Sequence, residues 1–240
     1  MTTTSGRAEM PAVRRLTRGG GPDGVRTVDS GRVFAAAMAG EPCTVLGMDG
    51  GEQLLPMARW AGEADSSDDA LLALCQGTTL DVGCGPGRLT SRLAALGHVA
   101  LGVDIVAAAV ERTRERGASA VQRDLFERLP GEGRWQTVLL ADGNIGIGGD
   151  PRALLARMVE LAAPGGRLVV ETAPPGVGLQ VHEARLRTAD LVSTPFPWAI
   201  LAVDRVEVIC EGLPLSLHEV HQLSRGTESR WIAVLTSEES

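Results

Sequence analysis

The sequence predicts an α/β protein built on a doubly wound, mostly parallel sheet, and three observations carry that prediction. From residue 78 onward, apolar strand-length runs alternate with helix-spaced segments, the pattern of parallel strands joined by crossover helices. The first run, Thr79-Leu80-Asp81-Val82, enters a turn with three glycines, Gly83-Cys84-Gly85-Pro86-Gly87, and a helical pattern follows at once. An acidic residue, Asp104, closes the next apolar run, roughly twenty residues on, which is the spacing of a nucleoside-binding βαβ unit.

The elements follow in order. Residues 1–30 are rich in Thr, Ser, Gly, Pro and Arg without periodicity and read as a leader with no fixed structure. Residues 31–77 form a mixed segment with a short helix over 33–38, an extended piece at 43–46 and an amphipathic helix over 68–75. The first core strand, 80–82, is followed by a helix with Leu89, Leu93 and Leu96 on one face, stopped by Gly97. Residues 99–103 are the second strand, 106–116 a helix ending at Gly117, 118–122 the third strand and 135–141 the fourth. Asp150-Pro151 opens the next helix as cap and first position. That helix ends near Ala163-Pro164-Gly165-Gly166, before a fifth strand over 167–171. In the tail, 206–210, 216–223 and 230–236 are strand-like, and the last two make an antiparallel pair at the sheet edge. Five parallel strands and this pair give a seven-stranded sheet over residues 78–240, with 31–77 as a separate segment beside it.

Composition narrows the functions. The chain has 240 residues, 44% of them hydrophobic, enough to bury one sizeable core. Its net charge of −7 gives no general attraction to nucleic acid or anionic membranes. It contains no lysine and no tyrosine, which removes Schiff-base and P-loop lysines and a tyrosine base. Cys43, Cys75, Cys84 and Cys210 are scattered, with no CxxC and no histidine at metal-ligand spacing, so a reduced, cytoplasmic protein without a metal site is expected. No apolar run is long enough to span a bilayer. Arg14-Arg15 resembles a twin-arginine signal but lacks the apolar stretch that should follow.

Four features in order make the chain resemble the class I, Rossmann-like S-adenosylmethionine (SAM)-dependent methyltransferases: Leu80-Asp81-Val82-Gly83-Cys84-Gly85-Pro86-Gly87; Gly102-Val103-Asp104-Ile105; Arg123-Asp124-Leu125; and Leu161-Ala162-Ala163-Pro164-Gly165-Gly166-Arg167-Leu168. A nicotinamide or flavin dehydrogenase carries GxGxxG instead, and Gly87 stands one place too early for it. The resemblance implies SAM as cofactor, with Gly83, Gly85 and Gly87 cradling it and Asp104 taking the ribose hydroxyls beside Ile105. It further implies Asp124 and the Leu125 N–H at the adenine, and Asp81, Ala141 and Asp142 toward the methionine end. Each acid has a plainer reading: Asp104 as a helix cap, Asp124 as a loop acid, Glu171 as a solvated strand end.

Methyl transfer needs mainly alignment, with a base where the nucleophile is a hydroxyl or protonated amine. His182, after the Pro174-Pro175-Gly176 loop, is the candidate base; Asp142 and Asn144, in a glycine-rich loop, are candidates to orient the nucleophile. His98, before the second strand, reads as structural, while His218 and His221, an odd number apart, are expected on opposite faces of a tail strand. The base-methylating motifs of nucleic-acid enzymes are absent. The expected acceptor is therefore a small molecule, held between residues 31–77 and an insertion at 173–198 by a monomer or homodimer. The competing readings are a SAM-fold protein that binds without methylating, an aminopropyl transferase and a nicotinamide-dependent oxidoreductase.

Overall fold

The computed structural model describes residues 24–49 and 51–238; the leader expected over residues 1–30 lies outside the described residues up to residue 23. In chain order the elements are β1 (Arg26–Val28), α1 (Ser30–Met38), β2 (Thr44–Leu46), β3 (Gln53–Leu54), α2 (Met57–Trp60), α3 (Ser66–Leu72), β4 (Thr79–Val82), α4 (Arg88–Ala95), β5 (Ala100–Asp104), α5 (Ala107–Glu115), β6 (Ala120–Gln122) and β7 (Trp135–Leu140). They continue with α6 (Pro151–Leu161), β8 (Ala162–Thr172), β9 (Leu179–Arg187), β10 (Leu191–Ser193), β11 (Phe196–Leu201), α7 (Val206–Cys210), β12 (Leu215–Arg225) and β13 (Glu228–Ser237).

The main sheet has seven strands in the order β12-β13-β8-β7-β4-β5-β6. The five strands from β8 to β6 are parallel, whereas β13 runs antiparallel to both β8 and β12. The C-terminal pair is thus the antiparallel extension expected, with β13 slotted inside β12. Leu80, Val82, Val138, Leu140, Leu168 and Val170 pack on one side of the sheet with α6 residues Leu154, Leu155 and Met158. Leu139, Val169, Ile232 and Val234 pack on the other with Leu71 and Leu72 of α3 and Leu89 and Leu93 of α4. Successive strand residues alternate between these two clusters, as both-face burial requires.

A second sheet joins distant parts of the chain. β1 pairs with β10, β10 with β9, β9 with β2 and β2 with β3, while β11 pairs with the N-terminal part of β9. The N-terminal residues and the insertion after β8 therefore share one sheet and one small core, Val33, Ala37, Cys43, Leu186 and Leu191.

Three expectations need correction. Arg26–Val28, inside the expected leader, is a strand, fixed by pairing with Leu191–Ser193. Residues 206–210, read as strand-like from alternating Val206, Val208 and Cys210, form α7; the buried positions are Val206 and Cys210, a helical spacing, with Val208 exposed. His218 and His221 do not alternate cleanly, because a bulge interrupts β12 between Leu217 and Glu219 and both imidazoles reach the Glu219 carboxylate, at 3.3 and 2.7 Å.

Candidate functional site

The carboxyl ends of β4, β5, β7 and β8 come together where an open α/β sheet binds its ligands. After Val82 the chain turns through Gly83, Gly85 and Gly87, all left-handed, with φ of 71°, 53° and 82°. The three serve different ends. A Cβ on Gly83 would lie 2.7 Å from the Asn144 amide nitrogen, and one on Gly87 would lie 2.5 Å from the Thr113 hydroxyl. A Cβ on Gly85 would meet nothing within 4 Å, so that residue borders open space, a cradle a ligand can fill. Gly87 begins α4 with no side-chain cap on the helix N-terminus.

Asp104 stands against this turn. Its Oδ2 accepts from Gly85 N–H at 2.9 Å and its Oδ1 from Val106 N–H at 2.8 Å. The α5 cap is Val106 itself, so Asp104 is not that helix's cap residue. Burial pushes its carboxyl up, opposed by the Val106 and Gly85 N–H groups. Two bonds leave lone pairs on both oxygens for further donors such as hydroxyls. Ile105 beside it is 63% exposed. Asp124 closes a local turn by accepting from Phe126 N–H at 2.9 Å, and Leu125 beside it is buried.

Beneath the turn, Asp81 is buried and accepts the Thr90 hydroxyl at 2.6 Å. Burial raises its carboxyl to about 6, and Asp142 and Asp104 add to the rise. Cys84, within the turn, is buried with its thiol pushed up by desolvation, a packing residue rather than a nucleophile.

On the other side of the turn stands a charge cluster that sequence reasoning missed. Arg88 at the start of α4 bonds Asp142 at 2.5 Å and pairs with Asp68 of α3. Arg230 of β13 grips Glu171 of β8 through two bonds, 2.9 and 2.7 Å, and reaches Asp68 at 2.8 Å. Arg59 of α2 lies 3.2 Å from Asp142 and 3.7 Å from Asp68. The side chains of Arg88, Arg230 and Asp68 are almost fully buried, while Arg59 and Asp142 keep 27% and 17% of theirs exposed. Glu171 is therefore an internal ion-pair partner rather than a solvated strand end. Asp68 takes its place through a capping box, in which Asp65 accepts from Asp68 N–H while Asp68 accepts from Asp65 N–H. The Asp68 carboxyl is lowered: burial pushes it up, and the Arg88 hydrogen bond leads the interactions that outweigh burial.

Asp142, among the described residues the one non-glycine with positive φ, at 52°, donates its N–H to Glu171 at 2.7 Å. Buried Ala141 precedes it and accepts from Asn144 N–H at 3.0 Å. The Asn144 amide donates to Val82 O and Gly83 O, both at 2.9 Å, and so ties this loop to the glycine turn. Ile147 bridges to Trp198 of β11, and Trp198 opposes His182 of β9. Opposed residues of an antiparallel pair share a face, so His182 lies on the Trp198 face, half-buried, with Gln180 at 3.3 Å. The structure thus gathers Asp81, Gly83, Gly85, Gly87, Asp104 and Asp142 around one turn, with Asn144 latched to it. His182 stands one strand beyond Trp198. Buried Asp142 Oδ1 and Arg88 Nε have no hydrogen-bond partner in this arrangement, although the Arg59 guanidinium lies 3.2 Å from Asp142 Oδ1.

Residues 79–166 match the methyltransferase-domain family, from β4 into β8. A SAM-dependent methyltransferase from Bacteroides fragilis, solved with S-adenosyl-L-homocysteine, superposes with a TM-score of 0.71 over 87% of this chain and 94% of that one, at 21% identity. The chain thus carries a segment similar to the methyltransferase domain and shares the fold of a SAM-dependent methyltransferase. The 1,6-didemethyltoxoflavin-N1-methyltransferase of Burkholderia thailandensis shares the fold at a TM-score of 0.55 and 19% identity, over 75% of this chain and 81% of that one. Among curated relatives, the trans-aconitate 2-methyltransferase of Paracidovorax citrulli is 32% identical over 123 residues, 50% of this chain and 45% of that protein. The ubiquinone biosynthesis O-methyltransferase of Methylococcus capsulatus is 28% identical over 162 residues, 63% of this chain and 59% of that protein. The chain thus spans about half the length of the curated relatives it matches.

Proposed function

We propose that this chain is a methyltransferase that binds SAM and transfers its methyl group to a small-molecule acceptor. One observation carries the reading most of the way: the Asp104 carboxylate stands 2.9 Å from the Gly85 N–H, beside the open space that Gly85 leaves. An acid held against a glycine turn suits a ribose lying over the turn, with its hydroxyls on the free lone pairs of the carboxylate. In this reading Asp104 holds the ribose hydroxyls, Ile105 covers a face of the adenine, and Asp124 with the Leu125 N–H meets the adenine amino edge. Ala141, Asp142, Arg59 and Arg88 receive the methionine end, whose carboxylate suits the guanidiniums and whose ammonium suits Asp142. The names of the solved and curated relatives, which include SAM-type ligands and small-molecule acceptors, support the same assignment.

When bound, SAM supplies an electrophilic methyl on a sulfonium. The chain's own residues supply alignment and a dry setting. The Asn144 latch and the Ile147–Trp198 bridge bring the loop after β7 and the second sheet together over the turn, and half-buried Phe34, Trp60, Phe196 and Trp198 give the acceptor side an apolar wall. His182, on the Trp198 face, is placed to take a proton from the acceptor. Four buried free cysteines suit a reducing, cytoplasmic setting. Among the described residues no helix is long and apolar enough to cross a membrane, and no group of three His, Cys, Asp or Glu is placed to hold a metal ion.

Calorimetric titration with SAM and then S-adenosylhomocysteine tests the cofactor, and release of S-adenosylhomocysteine over a panel of small-molecule acceptors tests the transfer. Binding in the micromolar range together with turnover of an acceptor is expected. Binding without turnover across the panel favours a non-methylating SAM-fold protein, and a folded chain that binds neither ligand contradicts the proposal.

A further inference from the structure

Arg230 lies far from the glycine turn in sequence, yet its side chain is wholly buried at the hub of the charge cluster. The ion pairs close a ring. Arg230 holds both Glu171 oxygens, Glu171 Oε2 accepts the Asp142 N–H, the Asp142 carboxylate binds Arg88, Arg88 pairs with Asp68, and Asp68 returns to Arg230. Five segments meet in it: α3, the start of α4, the loop after β7, the end of β8, and β13. Asp142 is its strained member, because a left-handed backbone is disfavoured for an L-residue and persists where the surroundings impose it. Here the surroundings are the Glu171 bond to its N–H and three guanidiniums around its carboxylate, Arg88 at 2.5 Å, Arg59 at 3.2 Å and Arg230 at 4.0 Å. Buried ion pairs add little net stability compared with apolar side chains of similar volume, so the distinctive contribution of this ring is geometric.

We infer that Arg230 is a positioning residue for the cofactor: through Glu171 it sets the backbone of Asp142, and through Asp68 it aims Arg88, so that the amino-acid end of the cofactor meets a prearranged set of charges. The inference rests on the proposed cofactor. It assigns no contact between Arg230 and that ligand, and it confines the effect of Arg230 to the methionine end, since Arg230 bonds Ser67, Asp68 and Glu171 and no residue of the glycine turn.

The experiment compares wild type with the double variant Arg230→Leu/Glu171→Leu, which removes the central pair without leaving a lone buried charge. Each is titrated with S-adenosylhomocysteine and with 5′-methylthioadenosine, a nucleoside that lacks the amino-acid end. The expected result is a double variant that melts within a few degrees of wild type, binds methylthioadenosine within twofold of wild type, and binds S-adenosylhomocysteine about tenfold more weakly. A folded double variant that binds both ligands as wild type does, or loses affinity for both equally, overturns the inference while leaving the cofactor reading intact. If the double variant does not fold, Glu171→Gln decides: a selective loss for S-adenosylhomocysteine supports the inference, and unchanged affinity overturns it. Wild type that binds neither nucleoside overturns the cofactor reading, and this inference with it.

Discussion

The two halves of the candidate site are built in opposite ways. On the proposed adenosine side, Gly85 lies in the turn after β4 and Asp104 ends β5 of the same βαβ unit, and two backbone N–H groups position the acid. On the amino-acid side, Asp68, Arg88, Asp142, Glu171 and Arg230 come from five segments, and side chains position one another. A site fixed by backbone within one local unit survives side-chain changes elsewhere. A site fixed by a ring of buried charges feels any break in that ring, because removing one partner leaves another charge unpaired.

Asp81, at the seam, offers the largest expected effect. Its carboxyl is raised to about 6 by burial first, with Asp142 and Asp104 acting in the same direction. A carboxyl raised on folding contributes stability fully below its unfolded value and loses it as pH rises through its folded value. Asp81→Asn abolishes that loss, so the stability difference, variant minus wild type, should grow by about 3 kcal/mol between pH 3 and pH 7 in urea unfolding. A difference independent of pH would show that the Asp81 carboxyl is not raised by folding.

Asp104→Ala is the next largest. Losing a charge-assisted pair to both ribose hydroxyls should weaken S-adenosylhomocysteine and 5′-methylthioadenosine alike by about 100-fold in calorimetric titration. Arg59→Gln is the contrasting case: about tenfold weaker S-adenosylhomocysteine and unchanged methylthioadenosine. Loss of both ligands in the Arg59 variant would erase the distinction between the halves. The smallest effect belongs to Gly85→Ala, whose left-handed φ of 53° should destabilise the fold by about 1 kcal/mol in thermal or urea unfolding.

The same contrast explains what the sequence revealed. The glycine turn, Asp104 and the strand-helix alternation were legible because each depends on spacing within one local unit. The inner place of β13, the second sheet and the charge ring were not, since they depend on which distant segments pair. Arg230 lies 59 residues beyond Glu171 and 162 beyond Asp68, and no spacing rule joins them. Asp142 was found through its glycine-rich loop, but its left-handed backbone and the arginines on its carboxylate were not foreseeable. Residues 206–210 failed for a simpler reason: Val206, Val208 and Cys210 fit an alternating pattern, while burial selects Val206 and Cys210.

A crystal structure of the chain with S-adenosylhomocysteine tests the central claim most directly. The account predicts the ribose hydroxyls on the Asp104 carboxylate, the sugar over Gly85, and the amino-acid end against Asp142, Arg59 and Arg88. A ligand bound elsewhere, or seated over the turn with its amino-acid end turned away from that cluster, would contradict it.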